Sequence, residues 1–96
     1  MTVTCAKNNS HLLITITGRL DTKTVADFDR QIASDLATAE EVTLDLKDLE
    51  YVSSAGLRAL LRIHMAVGGN VKAINANELV KEVFSVTGFQ DFFSIE

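Results

Sequence analysis

The stretch Asp45-Leu46-Lys47-Asp48-Leu49-Glu50-Tyr51-Val52-Ser53-Ser54-Ala55-Gly56-Leu57-Arg58-Ala59-Leu60-Leu61 decides how the rest of the chain is read. It opens as the tail of an apolar strand, passes through a short charged turn and becomes apolar again at Tyr51-Val52. Two hydroxyl residues then stand directly before a helical pattern. Serine is a preferred N-cap because its oxygen accepts a hydrogen bond from an otherwise unpaired amide of the first turn, so the helix starts at Ser53 or Ser54. The segment therefore reads as strand, loop and capped helix.

On the carboxyl side, the helix is expected from about Ala55 to Val67, with Leu57, Leu60, Leu61, His64 and Val67 close to one face. Gly68-Gly69 ends it by supplying a left-handed C-cap. His64 reads as a helix-end residue beside the dipole and the last carbonyls. Asn70 to Asn75 reads as a strand, and Asn77 caps a third helix, Glu78 to Thr87. That helix buries Val80, Val83 and Phe84, with Leu79 at the margin, and stops at Gly88. Phe89 to Glu96 is aromatic enough to form a short edge strand or a packed tail.

Toward the amino end, Val42-Thr43-Leu44-Asp45-Leu46 is a strand opened by Glu40-Glu41. Before it, Val25, Phe28, Ile32 and Leu36 fall at spacings of three and four, one stripe of a helix from Thr22 to about Ala37. Asp21, Thr22 or Thr24 caps that helix. Residues 2 to 7 and His11 to Thr17, separated by Asn8-Asn9-Ser10, read as a hairpin. Leu12, Ile14 and Ile16 share one face of its second strand, which Gly18 breaks; His11 is expected to be solvated. A strand, a helix and another strand imply a parallel crossover. The order β-β-α-β-α-β-α, with a final short strand, makes an α/β sandwich on a mixed, mostly parallel sheet of four to five strands.

Ninety-six residues with 47% hydrophobic content make a single domain, 1–96. No run approaches the roughly 20 apolar residues of a membrane span, and the start lacks a basic region followed by an apolar stretch, so a cytoplasmic protein without membrane insertion is expected. The one cysteine, Cys5, excludes an internal disulfide and a cysteine-based metal site and reads as a small buried hydrophobe. A net charge of −4, scattered Lys and Arg, no Trp and one Tyr argue against nucleic acid. Enzyme chemistry fails on inventory: there is no Gly-x-Ser-x-Gly elbow, no phosphate loop and no metal-ligand spacing of histidines. A serine with no base in reach is a substrate, not a nucleophile. No cofactor is implied.

The Ser53-Ser54-Ala55-Gly56-Leu57 segment resembles the signature of anti-sigma factor antagonists, members of the STAS family (sulfate transporter and anti-sigma factor antagonist). The resemblance runs along nearly the whole chain, from Gly18-Arg19-Leu20-Asp21 to Gly88-Phe89, and the STAS fold has the element order read above. In that family the serine two residues before the Gly-Leu pair is phosphorylated by a partner kinase, and the matching residue here is Ser54. Two departures stand out. The best-known form carries Asp immediately before the phosphorylated serine where this chain has Ser53, and a second hydroxyl residue after it where this chain has Ala55. The chain also stops at Glu96, where many members continue into another helix.

The resemblance implies a partner that is both an anti-sigma factor and a serine protein kinase, a serine phosphatase that reverses the mark, and release of a sigma factor on binding. Loops at the carboxyl ends of parallel strands collect on one edge, where partners bind. That edge is expected to gather Asp21, Ser53, Ser54 and Asn75 or Asn77. The expected partner-contacting set is Asp21, Ser53, Ser54, Gly56, Leu57 and Arg58, with Arg58 placed one helical turn beyond Ser54 to pair with its phosphate. The alternatives are a STAS subunit of another assembly, such as a lipid-transport complex, that works without phosphorylation, and a nucleotide-binding or hydrolysing domain.

Overall fold

Alternation along the second strand organises the sheet. Leu12, Ile14 and Ile16 are fully buried on one face, while Leu13 and Thr15 are half-buried and Thr17 is exposed on the other. The computed structural model describes all residues, Met1–Glu96. Its strands are β1 Thr2–Asn8, β2 His11–Leu20, β3 Glu41–Asp45, β4 Leu49–Val52, β5 Val71–Ile74 and β6 Ser94–Ile95. The helices are α1 Val25–Leu36, α2 Ser54–Ala66 and α3 Glu78–Thr87, and a 3-10 turn, Phe89–Asp91, precedes β6. No helix is long and apolar enough to cross a membrane.

The strand order is β1-β2-β3-β5-β6, with β4 also pairing β2. Only β1 and β2 are antiparallel; every other pairing is parallel. The sheet has six strands, one more than the sequence pattern predicts, because Leu49–Val52 is a strand where that pattern predicts a loop. β4 is four residues long, too short for a periodic signal, and it exists because β2 does not end at Gly18. Gly18 adopts φ +90°, the register slips between Gly18 and Arg19, and the strand then continues to Leu20. β3 pairs with the first half of β2 and β4 with this extension, so β3 and β4 run one after the other along the same side of β2.

The three helices deliver Phe28, Ile32, Leu57, Leu60, Ile63, Val80 and Phe84 into one core with Leu12, Ile14, Ile16, Val42, Leu44 and Val71. The opposite face, carrying Thr2, Thr4, Thr17 and Lys72, meets solvent. In α2 the deepest residues are Ala59, Leu60 and Ile63; Leu61 and His64, expected on the buried stripe, are half-buried, and Leu79 of α3 is exposed. His64 sets its ring edge-on to Phe92 and Phe93 at 5.5 and 5.9 Å, so it packs the tail onto α2. The tail is both a packed segment and an edge strand, with β6 parallel to β5.

Two further sequence expectations change. His11 is not simply solvated: Nδ1 lies 2.9 Å from Glu41 and Nε2 lies 2.9 Å from the buried Thr43 hydroxyl, which ties β2 to β3 on the open face. Cys5 is half-buried, and burial followed by the nearby Asp35 carboxylate pushes its thiol above the ordinary value. The caps at Asn77 and the stops at Gly68 and Gly88 stand as read: the Asn77 side chain accepts from the Val80 amide, and both glycines have positive φ.

Candidate functional site

The ends of β2 and β4 converge at one point. Leu20 and Val52 are partners in the parallel ladder, and the Ser53 amide donates to the Leu20 carbonyl at 3.0 Å. The next residues on the two strands, Asp21 and Ser53, therefore line a common cleft of about 400 Å³ with Arg19, Thr22, Lys23 and Tyr51. This is the strand-end edge at which an open parallel sheet presents its binding loops. Asn75 and Asn77 stand on the same edge after β5. The Asn75 amide donates to Asp45 at 3.2 Å, and the Asn77 amide donates to the Leu49 carbonyl at 3.0 Å, pinning β4 against α3.

The two serines divide their roles. Ser53 is the N-cap of α2, with extended backbone and its Oγ accepting from the Gly56 amide at 3.3 Å. Ser54 is the first helical residue and is exposed. The cap is therefore Ser53, and the residue left for solvent is Ser54. Gly56 and Leu57, expected among partner contacts, lie beneath this surface. Leu57 is 4% exposed, and a Cβ at Gly56 would stand 2.5 Å from the Leu20 carbonyl and 2.8 Å from a Val52 methyl. Their work is to let the first turn of α2 lie against the strand ends. Arg58 is exposed one turn beyond Ser54.

Asp21 is held by its own neighbourhood. Its carboxylate accepts from the Lys23 amide at 3.0 Å and faces Arg19 Nε at 3.5 Å. Partial loss of water alone would raise its pKa, but the amides of Lys23 and Thr24 and the Arg19 guanidinium outweigh that and hold the carboxyl below its usual range. Asp21 does not cap α1. That position belongs to Thr24, whose hydroxyl instead donates to the Arg19 carbonyl at 2.9 Å and takes no helix amide.

The sequence reading missed Arg19 and Tyr51. They are direct partners across β2 and β4, and the guanidinium carbon lies 4.3 Å from the centre of the Tyr51 ring. The signal was present in the spacing: Arg19 stands two before Asp21 and Tyr51 two before Ser53, the same-face period of a strand. It becomes visible only once β4 is known to be a strand.

Comparison with known proteins follows the same lines. Residues 3–95 match the family described as "Mlab, STAS domain". A protein of Bordetella bronchiseptica named as an anti-sigma factor antagonist, BtrV, is 29% identical over 99 residues, spanning 99% of this chain and 85% of its own. Among solved structures, an anti-sigma factor antagonist from Mycobacterium paratuberculosis superposes with a TM-score of 0.86 at 18% identity, over 98% of this chain and 83% of that one. The Bacillus cell fate determinant SpoIIAA in its phosphorylated form gives 0.75 at 14%, over 99% and 91%. These two share the fold, a mixed α/β sheet with helices on one face. With a match along almost its full length, the chain belongs to the STAS-domain family.

Proposed function

We propose that this protein is a cytoplasmic anti-sigma factor antagonist that binds an anti-sigma factor with serine kinase activity and is switched off by phosphorylation of Ser54. The observation that carries the reading is the pairing at the head of α2: the Ser53 hydroxyl, at the Asp21 cleft, is occupied as a cap while Ser54, the next residue, is exposed. Of the two serines at this edge, a kinase meets only Ser54 with its hydroxyl unengaged. Phosphorylation adds about −1.5 to −2 charges there. The amino end of the helix tolerates that charge, so the domain stays folded. A partner seated over Ser54 does not tolerate it, because it must desolvate the phosphate or be repelled. A serine phosphatase restores the binding form, and Arg58, exposed one turn on, is a cation available to the phosphate. The protein acts as a phosphoryl acceptor and binding partner, with no catalytic group of its own. The Bordetella relative's name and the phosphorylated SpoIIAA structure support this reading.

The test is phosphate incorporation from ATP by the anti-sigma factor kinases encoded in the source genome, paired with binding affinity. Ser54→Ala should take no phosphate and bind constitutively. Ser54→Asp should stay folded and bind weakly, as an incomplete mimic of the phosphate. Ser53→Ala should still be phosphorylated. Incorporation that survives Ser54→Ala and is lost in Ser53→Ala would move the site by one residue.

A second reading has its own support, because Ser53 stands where the best-known phosphorylated form carries Asp and the matched family is the one described for Mlab. In it the protein is an interaction subunit of another assembly, such as a lipid-transport complex, using the same edge without phosphorylation. Absence of phosphate on Ser54 in cells, together with stable co-purification in a fixed complex, would select it.

A further inference from the structure

The cleft beside Ser53 holds two basic side chains and one acid on a protein whose net charge is −4. The acid is already engaged. Asp21 is 21% exposed and accepts from the Lys23 amide while facing Arg19 Nε. Arg19 is 61% exposed, and Tyr51 supports one face of its guanidinium at 4.3 Å. The guanidinium nitrogen that faces Asp21 is Nε. Lys23, exposed at the same rim, forms no ion pair. The cleft thus presents a surplus positive charge in a preset orientation.

We infer that Arg19, stacked on Tyr51 and reinforced by Lys23, is a specificity-determining receptor for a carboxylate side chain of the partner, and that Asp21 is its positioning residue. The inference rests on the proposed function and names the chemistry at its contact surface. A guanidinium fork takes a carboxylate through two parallel hydrogen bonds. Arginine held on an aromatic face has lost much of its side-chain freedom before the partner arrives, so less entropy is lost on binding. Asp21 was expected to meet the partner directly; its hydrogen bonds give it the role of holding Arg19 instead.

The probe is the kinase that phosphorylates the wild-type chain in the assay above, with affinity measured by calorimetry at low and high NaCl. Arg19→Ala should weaken binding about tenfold, and Arg19→Glu should weaken it further through repulsion. Lys23→Glu, which keeps the backbone amide and changes a side chain that forms no ion pair, should weaken binding and flatten the salt dependence. Asp21→Asn should weaken binding when Arg19 is present and have little further effect in the Arg19→Ala background, a coupling that a purely structural role would not produce. Melting curves verify that each variant is folded. Wild-type binding with Arg19→Glu and Lys23→Glu within about twofold of it overturns this inference alone. A folded wild-type chain that no kinase binds or phosphorylates overturns the proposed function, and this inference with it.

Discussion

Gly56 faces the Leu20 carbonyl so closely that a Cβ on it would stand 2.5 Å from that oxygen. Alanine is the better helix former by about 1 kcal/mol, yet backbone oxygen cannot move aside as a flexible side chain does. Overpacking of this kind costs roughly 1–3 kcal/mol, so the steric effect wins. Gly56→Ala should lower the urea midpoint and displace the head of α2 from the strand ends, reducing phosphate incorporation at Ser54 as well.

Ser53 and Ser54 should separate in a stability measurement. Loss of the Ser53 cap costs about 0.5–2 kcal/mol, because the Gly56 amide loses its partner. Ser54→Ala, at an exposed first-turn position, should remain within about 0.5 kcal/mol of wild type. Equal chemical denaturation midpoints for the two variants would contradict the assignment of the cap.

Leu60 and Leu61 are adjacent and differ in burial: Leu60 is 0% exposed, while Leu61 is half-buried. Leu60→Ala should cost about 2–5 kcal/mol, enough to threaten folding of a domain this small. Leu61→Ala should cost clearly less. The check is a circular-dichroism melt of both variants.

Asp21 sets a pH signature. A carboxyl whose folded pKa lies below its unfolded value stabilises the fold above the ordinary range, near about 3.9, and that stabilisation is lost as pH falls through the lower folded value. Wild type should therefore melt above Asp21→Asn at neutral pH. The gap should close on acidification below the ordinary carboxylate range, and a gap of constant size across that titration would mean that the carboxyl is not held by Lys23, Thr24 and Arg19.

Much of this was legible in the sequence for local reasons. The period-two pattern of Leu12, Ile14 and Ile16, the stripe of Phe28 and Ile32, the cap at Asn77 and the stop at Gly88 are each set within a few residues. So is the choice of Ser53 or Ser54 as the start of α2. Which serine caps and which is exposed depends on where the first turn sits against Leu20, and that is a tertiary matter.

The sequence by itself determined the order of the main elements and the edge on which Asp21 and Ser53 meet, because hydrophobic spacing and helix punctuation are local and parallel strands gather their exits on one edge. Tertiary structure alone decided that Leu49–Val52 is a strand, that Arg19 lies on Tyr51 and that Gly56 supports the surface instead of forming it. Each of those depends on β2 continuing past the bulge at Gly18 and meeting β4 across a ladder, a long-range pairing whose four residues are too few to announce themselves.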